Sequence, residues 1–244
     1  MAERLNVIDA SQQTATKVAG LAYLIPMAFV VYANFGMRAR LLVSGDVAET
    51  VRRIAAAVPL FRLSVAFDVV YCIGVVVLLS ALYVVLRPVS RHLALLATLL
   101  KLVYAVTAML LVLSLLTIAR LVTNPAYVQA LETGPLQALV KLNLSATMDE
   151  YYVGLAFWAV SATVIGWLWL KSGYIPKALA VFGLVSAAWC TLCTFAYIIS
   201  PAFSDVVNLW WFDSPLAIFD IVLSFWLLFK GLRGVAAPAE SFAA

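Results

Sequence analysis

The sequence predicts an all-α polytopic membrane protein, a transmembrane helix bundle with six membrane-spanning helices plus a short amphipathic surface helix. Two observations predict it. Apolar residues make up 65% of the chain and charged residues 11%, with a mean hydropathy of +1.04. A soluble domain is about 45–50% apolar and about 25% charged, and its core cannot absorb such an excess, whereas lipid lets a helix be apolar on every side. The apolar runs also last about 20 residues without alternating, which selects spanning helices over barrel strands. Either way, each backbone N–H and C=O must find its partner inside the protein.

The first span is predicted over Val18–Phe35, with Pro26 as a kink. A polar stretch follows from Gly36 to Pro59. In it, Gly45-Asp46 reads as a turn, and Asp46 with Glu49 as an approximate capping box. Val47, Val51, Ile54 and Val58 then recur at helical spacing around Arg52 and Arg53. This segment is expected to lie on the membrane surface. The second span covers Leu60–Leu86 and the third Leu93–Val122, joined by the basic loop Arg87–His92. Thr123–Lys141 reads as a longer loop because of Asn124-Pro125 and Gly134-Pro135. The fourth, fifth and sixth spans are expected at Leu144–Leu170, Ala178–Ile199 and Ser214–Leu232. Six such helices use nearly all of the 244 residues. Residues 1–17 are then a cytoplasmic N-terminal segment, 18–232 a single six-helix domain and 233–244 a short cytoplasmic tail. Glu3, Arg4 and Asp9 and the lack of an apolar h-region argue against a cleavable signal peptide, so the first span is expected to act as its own insertion signal.

Orientation follows from the cationic residues at the helix ends. One side has eight (Arg4, Lys17, Arg87, Arg91, Lys171, Lys177, Lys230, Arg233) and the other six (Arg38, Arg40, Arg52, Arg53, Arg120, Lys141). The eight sit in short segments, where the rule is strongest, so both termini of this multi-pass chain are expected in the cytoplasm. The net charge of +4 is accounted for by this topology signal, so no nucleic-acid partner is expected. The expected partner is the lipid bilayer, with a small ligand or other membrane proteins as further candidates.

The informative residues are those that cost energy in lipid. An ionised group at the bilayer centre costs at least about 2.5–3.5 kcal/mol and usually faces the interior with a partner. Lys101 lies nine residues into the third span and Asp220 ten residues before Lys230, so both are roughly 14–15 Å from the inner surface. They are expected to approach one another, directly or through a water, with Tyr104 one turn away from Lys101. A second, outer group comprises Arg62, Asp68, Asp149 and Glu150, with Asn34 nearby. Arg62 and Asp68 are six residues apart on different faces of one helix, so Arg62 is expected to pair with Asp149 or Glu150. The plainer reading of every such pair is that it fixes which helices are neighbours.

Other motifs carry less. Cys190-Thr-Leu-Cys193 is a C-x-x-C on one helical face, a possible thiol pair, but two small apolar residues in a helix contact read more simply. With His92 the one histidine, bis-histidine haem and histidine-rich metal sites are excluded. No esterase, phosphate-loop or zinc-protease signature is present. No cofactor, metal or catalytic set is expected. Gly74, Gly154, Gly166 and Gly183 are expected at close helix contacts.

Several strings carry a family resemblance: Arg38-Ala-Arg-Leu-Leu-Val-Ser-Gly-Asp46, Leu60-Phe-Arg-Leu63 followed by Asp68, Leu82-Tyr-Val-Val-Leu-Arg-Pro-Val-Ser-Arg91 with Leu93-Ala-Leu-Leu-Ala97, Tyr152-Val-Gly-Leu155, and Lys171-Ser-Gly-Tyr-Ile-Pro176. In this order, over about Thr16 to Pro201, the chain resembles the bacterial and archaeal membrane family called domain of unknown function 4386. The resemblance implies a six-helix inner-membrane protein and no particular activity. Its matching polar positions are Arg62, Asp68 and Lys101, the last an arginine in relatives. Ser161 stands where relatives often carry histidine. The leading expectation for function is a non-enzymatic accessory, sensor or stress-related protein with a small polar site inside the bundle. A small transporter or proton-coupled permease is the alternative, and an intramembrane thiol oxidoreductase the second alternative.

Overall fold

The computed structural model describes residues 7–208 and 210–236. The expectations for residues 1–6 and 237–244, at the two predicted cytoplasmic ends, fall outside the described residues. Among the described residues the regular structure is helical apart from a two-residue parallel pairing of Val7–Ile8 with Val235–Ala236, which joins the first and last described segments. In order, the helices are α1 Ala10–Val31, α2 Val47–Ala56, α3 Val58–Leu86, α4 Arg91–Thr123, α5 Pro125–Ala130, α6 Thr133–Ser172, α7 Lys177–Ile199, α8 Phe203–Val206 and α9 Trp210–Phe229. Among the described residues, six segments are long and apolar enough to cross a membrane: α1 with its continuation to Arg40, α3, α4, α6, α7 and α9.

Two expected boundaries are corrected. The first helix begins at Ala10, eight residues before Val18, because Asp9 and Gln12 cap it reciprocally. The Gln12 amide donates to Asp9 Oδ1 at 2.6 Å and the Asp9 amide to Gln12 Oε1 at 3.3 Å, a capping box with Asp at the cap. The expected loop Thr123–Lys141 is mostly helix. Asn124 caps the short α5 by accepting from the Ala126 amide at 3.0 Å. Gly134 and Pro135 fall in the first turn of α6, where a missing N–H costs no helical bond. With 40 residues, α6 is about 60 Å long, about twice the hydrocarbon thickness of a bilayer.

The chain divides into two groups of residues. The first comprises residues up to Leu24, Val76–Leu102 and Ala156 onward. Small residues set its helix spacing. At Gly183 of α7 the Phe219 ring of α9 takes the space a side chain would fill, and Gly20 of α1 meets Leu228 and the Ser224 carbonyl of α9 in the same way. A Cβ at Gly166 would stand 2.9 Å from Cα and 3.1 Å from N of Leu184 on α7. Backbone cannot yield as a side-chain tip can. Gly166→Leu is therefore expected to cost about 2–3 kcal/mol, read by thermal unfolding in detergent. Gly134→Ala, with nothing within 4 Å of the added carbon, should stay within about 0.5 kcal/mol of wild type. The exposed faces are apolar: Val181, Val185, Trp189, Leu192, Phe195 and Ile199 line one side of α7. Soluble monomers rarely expose such a stripe.

The second group comprises Ile25–Val75 and Val103–Leu155. Its core contains Leu41, Ile54, Phe61, Val65, Cys72, Val112, Leu115, Ile118 and Val140. Asp46 caps α2 by accepting from the Glu49 amide at 2.8 Å. The amphipathic face of α2 is spent on the chain's own core, with Ile54 fully buried and Val47 and Val51 packed against it. Its outer face carries Arg52 and Arg53, both paired with Glu49. Gly74 of α3 meets the Pro26 ring, and Gly154 of α6 meets Thr107 and Tyr104 of α4. All four glycines expected at close contacts thus lie in them.

Candidate functional site

Lys101 is the charge most completely removed from solvent in the first group. It projects from α4, is 1% exposed, and its side chain is among the largest fully buried ones. Its Nζ lies 3.7 Å from the centroid of the Trp158 ring on α6 and 5.6 Å from that of Tyr23 on α1. An ammonium over an aromatic face gains most when desolvated, about 2 kcal/mol or more. Asp220 of α9, 7% exposed, interacts with the Lys101 charge and with the Tyr23 side chain. The ammonium and the carboxylate are not in direct ion-pair contact. Tyr23 links the two, its ring facing the cation and its side chain within interaction range of the Asp220 carboxylate. Four helices thus contribute one residue each: Tyr23, Lys101, Trp158 and Asp220.

The surroundings reinforce this arrangement. Ser161, one turn beyond Trp158, is fully buried and donates to the Ala97 carbonyl, one turn before Lys101, at 2.7 Å, which ties α6 to α4 beside the lysine. Ser224 donates to the Asp220 carbonyl. A cavity of about 10 Å³, lined by Leu82, Ala97, Lys101 and Ile165 among others, adjoins the lysine. It has room for at most one water. Tyr104, expected to join Lys101, has its hydroxyl 2.7 Å from that of Tyr71 on α3, within the second group. Sequence reasoning missed Tyr23 and Trp158. A tyrosine and a tryptophan at the depth of a buried lysine, away from the interfacial belts, are the signal that could have found them.

The expected outer cluster is rearranged. Asp68 of α3 is held by Arg38, which reaches its two carboxylate oxygens through two guanidinium nitrogens, the Nη2–Oδ1 bond being 2.9 Å. Both residues are 5% exposed. Arg38 is delivered by an irregular end to the first span: a π-helical turn over Tyr32–Met37 followed by a 3₁₀ turn over Arg38–Arg40. Such turns re-aim a side chain that a continuous α-helix would point elsewhere. Arg62 does not pair with Asp149 or Glu150: it is exposed and forms no ion pair among the described residues, and Asp149 is exposed as well. The reason is facial: six residues put Arg62 about 120° around α3 from the buried Asp68, on an exposed face. Glu150 accepts from Ser114 Oγ at 2.7 Å through one oxygen, and its other oxygen is buried without a hydrogen-bond partner. Asn34 is exposed and donates to the Val30 carbonyl of its own helix at 2.9 Å.

The three cysteines are free and buried. Cys190 Sγ is 3.9 Å from Thr194 Oγ1, a local contact inside α7. Among the described residues, no group of three or more His, Cys, Asp or Glu side chains is arranged to hold a metal ion.

Among the described residues, six apolar spans with Arg38, Asp68, Lys101 and Asp220 buried and many large apolar side chains exposed mark a multi-pass membrane protein. The chain belongs to the family described as Domain of unknown function (DUF4386), whose model matches residues 18–231. No curated protein and no solved structure matches the chain.

Proposed function

We propose that this protein is a non-enzymatic accessory or sensor protein of the bacterial inner membrane, with both termini in the cytoplasm and a closed polar site around Lys101 as its functional centre. One observation carries the reading: the Lys101 ammonium is held on the Trp158 ring at 3.7 Å, enclosed by side chains from other helices. Such a site holds a buried cation and its nearby carboxylate, and little else. The adjoining space of about 10 Å³ takes one water, not a solute. It therefore fits a protein that registers its own packing or electrostatic state better than one that carries cargo. The excess of cations in the short segments at the end of the chain's termini supports the cytoplasmic assignment.

The permease alternative is tested in vesicles. Purified protein in pyranine-loaded liposomes, under an imposed membrane potential, is expected to move protons no faster than protein-free liposomes. A flux that is present in the wild type and lost in Lys101→Met would overturn the proposal and favour proton-coupled transport.

A further inference from the structure

We infer that the groove between the start of α1 and the end of α9 is a binding site for an anionic phospholipid headgroup. The groove has a volume of about 290 Å³, near the lower end of the range for small-molecule sites. That suits a headgroup better than a whole lipid. Its walls are chemically divided. Gln13, Thr16 and Lys17 line it from α1, and Lys230 from the residue after α9, while Leu227, Leu228 and Phe229 supply the apolar part.

Charge decides the sign of the ligand. Lys17 and Lys230 are both exposed at the groove, and among the described residues neither has an ion-pair partner and no Asp or Glu lines the groove. The nearest acid along α1, Asp9, is committed to the cap of that helix. Arg233 is likewise engaged, its guanidinium carbon 5.2 Å from the centroid of the Trp226 ring. Among the described residues, the two lysines are therefore the groove's cations without a charged partner, and a phosphodiester answers both.

Position decides that the anion belongs to a lipid. The groove adjoins exposed apolar side chains on both helices that form it. Val18 and Leu21 continue from Lys17 along α1, and Phe225 and Phe229, stacked at 6.2 Å, precede Lys230 on α9. A phosphate between the lysines thus has surface for its acyl chains directly beside it. Juxtamembrane cations gain about 1 kcal/mol each from anionic lipid, so the pair is worth roughly thirtyfold in affinity.

The test uses the full chain, delipidated in a neutral maltoside detergent, with lipid binding followed by native mass spectrometry and by thermal shift. Phosphatidylglycerol is expected to bind and to raise the midpoint, phosphatidylcholine to bind at least tenfold more weakly, and inorganic phosphate to do neither. Lys17→Gln/Lys230→Gln should weaken phosphatidylglycerol about thirtyfold while unfolding, without lipid, at the wild-type temperature. Lys171→Gln/Lys177→Gln, outside the groove, should bind as wild type. Raising the salt to 1 M should weaken the wild type and leave the groove variant unchanged. Equal binding of both lipids, an unaffected groove variant or an equal loss in the Lys171/Lys177 variant would overturn the inference. A full response to inorganic phosphate would replace the lipid by a free anion.

Discussion

Arg38→Met should destabilise the protein by about 3–5 kcal/mol, the largest effect expected for any single side chain. The residue delivers a two-pronged bond to the buried Asp68 carboxylate. Removing it strands an ionised group in an apolar surrounding, which is far more costly than losing the pair as a whole. Arg38→Lys should fall between Met and wild type, since an ammonium keeps the charge but not the planar fork. Arg38→Met/Asp68→Leu removes both charges with side chains of similar bulk and should recover most of the loss. Arg62→Met serves as the control. It is exposed and unpaired, so its effect should stay within about 0.5 kcal/mol. Equilibrium unfolding in mixed micelles resolves differences of this size.

Lys101→Met should cost about 3 kcal/mol. Two terms add: the cation–π contact with Trp158 is lost, and the Asp220 carboxylate keeps Tyr23 but loses its nearby cation. Methionine fills much of the lysine stem's volume, so the loss reports charge rather than a cavity. Lys101→Arg should cost under about 1 kcal/mol, since a guanidinium also stacks on an indole face. Trp158→Leu should weaken the protein by about 1–2 kcal/mol beyond the loss of ring area.

How far these features could be read from the sequence depended on what each rests upon. The spans α3, α4, α7 and α9 follow from long apolar composition, which needs no knowledge of neighbours. The start of α1 was hidden because its signal is a capping box, Asp9 with Gln12, in a polar stretch where apolar periodicity had not begun. The turn dipeptide Gly134-Pro135 was misleading because proline serves the first turn of a helix as well as a loop. Lys101, Asp68 and Asp220 stood out since a charge in lipid demands an explanation. Their partners did not stand out. Arg38 becomes the partner of Asp68 only through a π and a 3₁₀ turn that no spacing rule anticipates. Tyr23 and Trp158 are aromatic residues in apolar spans, indistinguishable by type from the many that face lipid. Which aromatic faces a cation is a matter of helix rotation, set by close contacts such as Gly166 on Leu184 and Gly20 on Leu228.

Lys101 and Asp220 belong to one coupled polar site without touching directly. A double-mutant cycle on unfolding stability, built from Lys101→Met, Asp220→Asn and the double variant, tests it. A coupling of about 1–3 kcal/mol is expected, with the double variant more stable than the sum of the single losses implies. Additivity within about 0.5 kcal/mol would show that the two charges are independent, and would contradict the site as described.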